Sequence, residues 1–349
     1  MDEISVSPAV SAPVPAPYRD RSTLLVVFGV VQIIFGLFAL LCIPLSLLGA
    51  VMSRKMGGGL PIGYHVLNTA TYGMAGAGFL TLGVGSIRAQ RWARDLSLVT
   101  SWIWLVSGTL GTVMLVALLP STFTAAFKAA AAQNPQAGSL PAGFAAVILT
   151  IVIAFCAFFL VVMPVIFVAF YRREDVAETC RHRDPHTRWT GHCPLPVLAL
   201  SVLFTFGAVY YFLMSFTVPL YPFFGRYLTG LPAGLVLLVA SALDVLLGVL
   251  LFRLRIAGWW LALTAVLFHC AAVGFTIGRS NLIEAYQRMG WSGQQLQLLQ
   301  ANPMFRSGAL MWLSLMFLAP LLGYLVWVRK YFVPARLPSV PAAYPTPLT

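Results

Sequence analysis

The sequence has little charge. Only 9% of its 349 residues are Asp, Glu, Lys or Arg, whereas 59% are hydrophobic. A soluble domain carries about a quarter charged residues, so this chain has too few of them to cover a water-facing surface. A helix crosses the hydrocarbon core of a bilayer with about 20 apolar residues, and apolar runs of that length recur along the chain. Composition therefore excludes a soluble globular protein and predicts an integral membrane protein in a lipid bilayer.

Motifs that carry common chemistries are also absent. The sequence contains no Gly-x4-Gly-Lys-Ser/Thr phosphate loop, no His-Glu-x-x-His zinc motif and no Gly-x-Ser-x-Gly nucleophile motif, which argues against an ATPase, a metalloprotease and a serine hydrolase. The net charge of +12 does not indicate nucleic-acid binding, because the basic residues form short clusters at helix ends rather than a stripe with interleaved aromatics. We therefore expect no nucleic-acid partner, no cofactor and no catalytic residues.

The apolar runs predict eight transmembrane helices. Their approximate bounds are 23–51, 64–87, 95–119, 143–171, 195–217, 233–252, 257–278 and 308–328. With eight spans, 15 of the 22 Lys and Arg residues fall on the side that also holds both chain ends. The side richer in basic residues is cytoplasmic. The sequence therefore predicts cytoplasmic termini and a multi-pass protein of the cell membrane, which in a bacterium is the inner membrane.

A weak internal repeat divides the chain into two halves. The run Arg-Ala-Gln-Arg-Trp-Ala-Arg-Asp-Leu-Ser-Leu at 88–98 returns without a gap as Arg-Leu-Arg-Ile-Ala-Gly-Trp-Trp-Leu-Ala-Leu at 253–263. Each copy is a basic, Trp-bearing turn between two apolar helices, and such self-similarity indicates a repeat architecture. Four spans per half is an even number, so the second half enters the membrane in the same direction as the first, and the repeat is parallel.

The outer loop of each half is predicted to contain short helical segments. In the first half the segment 123–132 precedes Asn134-Pro135, and in the second half the segment 282–299, interrupted by glycines, precedes Asn302-Pro303. An Asn-Pro pair ends a helix because the residue before a proline is pushed out of the α region. These outer helical loops are the surfaces through which we expect other membrane subunits to bind.

These boundaries define the fold class and the domain organisation. We predict an all-α integral membrane protein of eight transmembrane helices, arranged as two parallel four-helix repeats. A disordered Pro/Ala-rich tail covers 1–22, the first repeat 23–173, a basic Cys/His-containing cytoplasmic linker 174–194, the second repeat 195–330 and a Pro-rich tail 331–349.

Asp244 is the acidic residue that stands well inside a predicted span. A charged side chain at that depth costs about 2.5–3.5 kcal/mol on insertion scales, so such a residue faces the bundle interior and has a partner. The expected partner is His269 in the next span, about 7 Å away in depth by helix rise. In the ungapped alignment of the halves, the first half has Phe79 and Trp104 at these positions. The pair is either a proton or cation site, or a hydrogen bond that fixes helix packing.

The linker offers a weaker possibility. It contains Cys180, His182, His186, His192 and Cys193, and zinc is bound by thiolate and imidazole. The spacing matches no zinc-finger pattern, so the alternative is a structured basic linker without a metal, and we predict no metal ligands. Gln32, His65 and Asn68 are isolated polar residues in apolar helices, which we expect to make interhelical hydrogen bonds.

Two functions fit this pattern best, and a membrane enzyme or metal-dependent sensor that uses the Cys/His-containing linker is a third alternative. The first is a non-catalytic subunit or scaffold of a membrane complex, because the spans hold few ionisable groups. The alternative is a secondary transporter or permease with its proton or cation site at Asp244 and His269. A parallel repeat is compatible with transport, but the polar pair is confined to one half.

Overall fold

The structure, a computed structural model, describes residues 19–55, 61–133, 142–186, 188–277, 279–301 and 307–332. It is 85% helical, which fits the predicted all-α class. Most of each predicted tail, 1–22 and 331–349, lies outside the described residues, as do both Asn-Pro pairs.

The apolar runs fold into helices, most of whose bounds lie within a few residues of those predicted. The helices are α1 (Ser22–Lys55), α2 (Ile62–Ile87), α3 (Arg91–Gln133), α4 (Ala142–Ala157), α5 (Met163–Tyr171), α6 (Glu174–Arg183), α7 (Leu195–Thr217), α8 (Leu231–Phe252), α9 (Ile256–Thr276), α10 (Leu282–Arg288), α11 (Gly293–Ala301) and α12 (Ser307–Val328). Two short strands, β1 (Leu220–Phe223) and β2 (Arg226–Thr229), form an antiparallel hairpin between α7 and α8. This hairpin was not expected from the sequence.

Six segments are long and apolar enough to cross a bilayer. They are Ser22–Met52, Arg91–Pro120, Ala146–Tyr171, Leu195–Thr217, Leu231–Phe252 and Ile256–Thr276. Large apolar side chains such as Ile34 and Phe38 are 55% and 61% exposed on α1, as expected for helices that contact lipid. α2 and α12, which the sequence also predicted to span, are 26 and 22 residues long but are not among the six. The chain is thus a multi-pass membrane protein.

Two helix pairs form the centre of the two halves. α1 packs antiparallel on α2, and a β-carbon at Gly29 would lie 2.7 Å from the Gly83 carbonyl oxygen. Glycine therefore lets the two backbones approach closely. In the pair of α7 and α8, Ser201 Oγ donates to the Gly248 carbonyl over 2.7 Å, and Ser241 Oγ donates to the Ala208 carbonyl over 2.8 Å. Close backbone contact at glycine thus contributes to the first pair, and serine-to-carbonyl hydrogen bonds contribute to the second.

A π-helical turn, Phe158–Val162, joins α4 to α5. Pro164 has no amide hydrogen, so it cannot close the α-helical bond to the Leu160 carbonyl. The chain instead makes a wider turn, in which the Met163 amide donates to the Phe158 carbonyl. α3 packs directly against this irregular turn, because a β-carbon at Gly108 would overlap the Leu160 carbonyl.

The two basic turns have the same backbone geometry. In the first, Ala89 has φ 51°, its amide donates to the Ser86 carbonyl, and the Gln90 amide donates to the Gly85 carbonyl. In the second, Leu254 has φ 53° and makes the equivalent bond to Leu251, while the Arg255 amide donates to the Leu250 carbonyl. Both are Schellman caps, here built with a non-glycine residue in the left-handed region.

The basic turns, α6 and the start of α1 meet at one end of the bundle, which we call the basic end. Arg21 forms an ion pair with Asp175 of α6 at 3.1 Å, and its amide donates to Thr179 Oγ1. Thr190, in a short 3-10 turn after α6, donates to Asp95 of α3 over 2.9 Å. The predicted linker is therefore an ordered layer that ties the first half together.

The opposite end, which we call the hairpin end, carries β1, β2, α10 and α11. Phe224 and Gly225 both have positive φ in the two-residue turn of the hairpin, as a type I′ turn requires. The Gly225 amide donates to Thr276 Oγ1, at the end of α9, over 3.1 Å. The predicted outer segment 282–299 folds as α10 and α11, separated by a turn in which Gly290 has φ 84°.

Candidate functional site

Asp244 lies in the interface between α8 and α7. The residue opposite is Gly207, where an added β-carbon would lie 2.7 Å from the Asp244 carboxylate. Asp244 makes no hydrogen bond or ion pair within the described residues, and no basic side chain there compensates its charge. Its carboxylate is therefore half-buried between two helices without a counter-ion, which is costly inside a membrane.

Two tyrosines lie near this carboxylate. Tyr211 stands one turn after Gly207 on α7, and Tyr221 enters from β1 and is 6% exposed. The charge of Asp244 acts on both hydroxyl groups. Burial, and after it the charge of Asp244, raises the pKa of Tyr221 above its ordinary value, so Tyr221 keeps its proton at neutral pH and remains a hydrogen-bond donor.

His269 of α9 contacts Tyr221 rather than Asp244. The Tyr221 hydroxyl lies 3.3 Å from His269 Nδ1, and either atom can be the donor, depending on the tautomer. No hydrogen bond or ion pair joins Asp244 to His269 in the described part of the chain. Tyr221 is thus the side chain that His269 contacts in place of Asp244. Tyr221 was not predicted as a site residue, because nothing in the stretch after α7 indicates a strand.

The first half has an aromatic cluster at the aligned positions. The rings of Phe79 and Trp104 have centroids 5.6 Å apart, and both contact Phe35. In the second half no hydrogen bond or ion pair joins the aligned residues Asp244 and His269 within the described ranges, and Asp244 lies against Gly207 of α7. The first half thus has an aromatic contact where the second half has two separate polar side chains.

No family model, curated protein or solved structure matches this chain. The assignment of function therefore depends on the chemistry of the described residues.

The linker residues do not converge on a common point. Cys180 packs in one apolar cluster with Tyr171 and Leu25, whereas Cys193 packs in another with Val197. Burial raises the pKa of each thiol to about 11, so both are protonated at neutral pH, whereas a metal ligand must be a thiolate.

The three linker histidines, His182, His186 and His192, are exposed. Within the described residues no group of three His, Cys, Asp or Glu is close enough to hold a metal ion. The arrangement supports the structured linker rather than the metal site.

Two of the three isolated polar residues bond across helices. Gln32 Nε2 donates to Ser97 Oγ over 2.9 Å, and Asn68 Nδ2 donates to Ser46 Oγ over 3.2 Å. His65 differs, because its Nε2 is buried without a hydrogen-bond partner. The sequence-based expectation of interhelical bonds is thus confirmed for Gln32 and Asn68 and wrong for His65 Nε2.

Proposed function

We propose that the chain is a non-catalytic subunit or scaffold of a membrane complex in the cell membrane, which in a bacterium is the inner membrane. The observation that carries the proposal is how the polar groups within the helices are used. Gln32 and Ser97 join α1 to α3, and Ser201 joins α7 to the Gly248 backbone. Polar groups of this kind stabilise helix association in lipid and leave few side chains for catalysis.

The proposed topology has eight spans in two parallel four-helix repeats, with cytoplasmic termini. The shared Schellman geometry at Ala89 and Leu254 supports the repeat. The antiparallel pairing of α1 with α2, and of α7 with α8, supports α2 as a span of the same depth as its neighbours. The concentration of arginines at the basic end supports a cytoplasmic basic end.

Partners are proposed to bind at the hairpin end, through α10, α11 and the region around Trp291. The indole Nε1 of Trp291 is buried without a hydrogen-bond partner, and its ring contacts Tyr64 and Tyr286. Tryptophan and tyrosine are enriched at protein interfaces, because each combines a large apolar ring with a polar group that can find a hydrogen-bond partner.

The test of the subunit proposal is purification from native membranes in a mild detergent and in nanodiscs. We expect a partner at fixed stoichiometry, retained by Arg173→Glu at the basic end and lost from Arg288→Glu at the hairpin end. Both arginines are exposed, so the two charge reversals are matched. A chain that purifies alone under both conditions contradicts the proposal.

The second candidate is a secondary transporter or permease with its proton or cation site at Asp244 and His269. The specific observation in its favour is the half-buried Asp244 carboxylate without a counter-ion. In proteoliposomes with an internal pH-sensitive dye, we expect a proton flux that Asp244→Asn abolishes and that Glu284→Gln, an exposed control, leaves unchanged. A flux that survives Asp244→Asn rules this candidate out.

A further inference from the structure

We infer that the basic end of the second half binds the phosphate headgroup of an anionic phospholipid. The residues that bind it are two arginines at the turn between α8 and α9 and the basic pair after α12. These four residues, which we call the headgroup cluster, are Arg253, Arg255, Arg329 and Lys330. The inference is independent of both functions proposed above, because either kind of membrane protein can bind such a lipid.

A hydrogen bond places the two parts of the headgroup cluster at one depth. Trp259, in the first turn of α9, donates its indole hydrogen to the Leu325 carbonyl in the last turn of α12 over 2.7 Å. Arg253 follows the end of α8 and Arg255 precedes the start of α9, and both helices are long and apolar enough to cross a bilayer. α9 also packs against α8 and α12. The four cations therefore lie at the ends of three neighbouring helices, at the level of the lipid headgroups.

The headgroup cluster has no acidic partner in the described part of the chain. None of its four members forms an ion pair there, and all four are exposed. From residue 195 onward the acidic residues are Asp244 and Glu284. Asp244 lies about 14 Å deeper than Arg253 by helix rise, and Glu284 lies on α10 at the hairpin end. The positive charge of the cluster is thus left for a ligand.

The arginines of the linker and of the start of α1 lie at the same end, but their charge is compensated within the chain. Their ion pairs are Arg21–Asp175, Arg181–Glu174, Arg183–Asp20 and Arg188–Asp184. Membrane topology depends on the number of Lys and Arg residues, and acidic neighbours contribute little to it. Topology therefore accounts for both groups of basic residues, but not for the absence of acidic residues around the headgroup cluster.

Aromatic rings hold two of the cations in place. The guanidinium carbon of Arg329 lies 5.3 Å from the ring centroid of Trp259 and 5.7 Å from that of Trp260. Lys330 Nζ lies 4.3 Å from the ring centroid of Trp327. A cation–π contact attracts the cation to the ring without neutralising it. The two side chains are therefore positioned in advance, while their charge and their N–H donors remain available to a phosphate.

Exposed tryptophans adjoin the headgroup cluster. Trp260, Trp327 and Trp189 are 52%, 49% and 50% exposed, and Trp189 contacts Phe252 at the end of α8. Tryptophan is enriched at the membrane–water interface, where its ring is partly in contact with lipid and partly with water. A lipid whose phosphate meets the cations can therefore also pack against these rings.

An anionic phospholipid fits the headgroup cluster better than an acidic protein segment does. Arginine presents a planar fork of donors that can bind two phosphate oxygens at once, and basic clusters beside membrane-spanning helices recognise anionic lipids. Val326, in the last turn of α12, is 61% exposed, so an apolar surface adjoins the cations. A phospholipid has acyl chains to cover that surface, whereas a polar acidic segment does not.

The experiment is native mass spectrometry of the full-length protein in detergent, titrated with phosphatidylglycerol and, for comparison, with zwitterionic phosphatidylcholine. We expect phosphatidylglycerol to bind more tightly by about tenfold or more, because each Lys or Arg near an anionic lipid surface strengthens binding about fivefold. The difference should decrease as the salt concentration rises, since salt screens exposed charges.

The first variant neutralises the basic pair. Arg329→Gln with Lys330→Gln should weaken phosphatidylglycerol binding by about tenfold or more and leave phosphatidylcholine binding unchanged, which reports that the variant is folded. The matched control is Arg172→Gln with Arg173→Gln, at the end of α5. This pair is also exposed, but two acidic residues follow it directly, so the control should retain its affinity for phosphatidylglycerol.

The second variant tests the aromatic contact without a change in charge. Trp327→Leu removes the ring beneath Lys330 and should weaken phosphatidylglycerol binding by about threefold, the usual effect of an exposed cation–π contact. The control is Trp102→Leu in α3, since Trp102 is similarly exposed at 47% and has no cation–π contact within the described residues. The control should bind phosphatidylglycerol as the native protein does.

Four results would overturn the inference. They are equal affinities of the native protein for the two lipids, an equal loss in both double variants, displacement of the lipid by inorganic phosphate alone, and recognition of a protein instead. Equal losses would show that net charge, rather than a site, determines binding, and displacement by phosphate would identify a site for a free anion. Recognition of a protein would appear as an acidic polypeptide that co-purifies from native membranes and is lost from Arg329→Gln with Lys330→Gln, while phosphatidylglycerol binding is unchanged.

Discussion

Gly108 illustrates how one residue can decide the packing of two helices. It is the residue of α3 that faces the Leu160 carbonyl, in the π-helical turn before Pro164. In a regular helix the Leu160 carbonyl would accept the amide hydrogen of residue 164, which Pro164 lacks. α3 can approach this carbonyl only at a residue without a side chain, so Gly108 and Pro164 belong to the same local structure.

Gly108→Ala is therefore expected to destabilise the protein by about 1–3 kcal/mol, the usual cost of overpacking, although alanine has the higher helix propensity. Thermal unfolding in detergent measures the effect. The control is Gly111→Ala, one turn on in the same helix, where nothing lies within 4 Å. Equal unfolding midpoints for the two variants would show that the close approach of α3 to the π turn has no energetic role.

At the same scale, the sequence predicted some residues well and others poorly. Asp244 and Gln32 could be singled out because a polar group in an apolar run needs a partner wherever the helix packs. Tyr221 could not, because its contact with His269 depends on a hairpin that the sequence did not predict. His65 was expected to pair and has no partner at Nε2, since the identity of a residue does not reveal which neighbour the packing provides.

Among the elements, the linker makes more specific contacts than its sequence predicted. Asp184 is 5% exposed and accepts three hydrogen bonds from the Arg188 guanidinium, at 3.0 to 3.2 Å, and one from the Arg91 amide. The bond to Arg91 connects α6 to the first basic turn. The linker that contains the candidate metal ligands is thus held by an ion-paired cap at the end of α6, made by other residues.

Asp184→Asn is expected to lower the unfolding midpoint by a few degrees and to expose the linker to proteolysis. The hydrogen bonds from Arg188, and then that from the Arg91 amide, hold the pKa of Asp184 below its usual value. Its contribution is therefore complete above the ordinary pKa of about 4 and is lost as the pH falls through the lowered pKa of the folded state. Thermal unfolding between pH 3 and 7 measures it, and the variant should lack this acid-sensitive component.

Asp20→Asn provides the comparison for that variant. Asp20 also pairs with an arginine, Arg183, but both side chains are about half exposed, and exposed pairs contribute little. A midpoint that falls as much in Asp20→Asn as in Asp184→Asn would contradict the special role of the buried carboxylate.

The helices were the predictable elements, and the hairpin was not. Apolar runs of 20 or more residues require helices in a membrane, because every backbone polar group must be bonded within the segment. The stretch from Leu220 to Thr229 is short and rich in aromatics, and its turn is Phe-Gly rather than the Asn-Gly or Asp-Gly that signals a hairpin. The hairpin also contacts α9, and contacts of this kind cannot be predicted from the sequence.

At the scale of the whole molecule, the proposed topology puts the basic end and the hairpin end on opposite sides of the membrane. We expect a membrane-impermeant maleimide to label Arg288→Cys on intact cells and to label Arg173→Cys only after permeabilisation, in a background with the five native cysteines replaced by serine. Both arginines are exposed, and basic loops remain in the cytoplasm. The readout is gel shift or mass spectrometry of the labelled chain.

Labelling of both cysteines from the same side would contradict this topology. Labelling of Arg173→Cys alone on intact cells would show that the basic end lies outside the cell, with the two ends still on opposite sides of the membrane. Hydropathy identifies the six clear spans but not α2, because glycines and polar residues make α2 less apolar than those six segments.

The contact between Arg21 and α6 also orders events during synthesis. Arg21 and Asp175 are 154 residues apart in the chain, so their ion pair cannot form until α1 to α5 have been made. At about 5–20 residues per second, that interval lasts roughly 10–30 s. Until α3 has been made, α1 and α2 have only each other and lipid to hold them, so the glycine contacts between them are the first tertiary structure that the nascent chain can acquire.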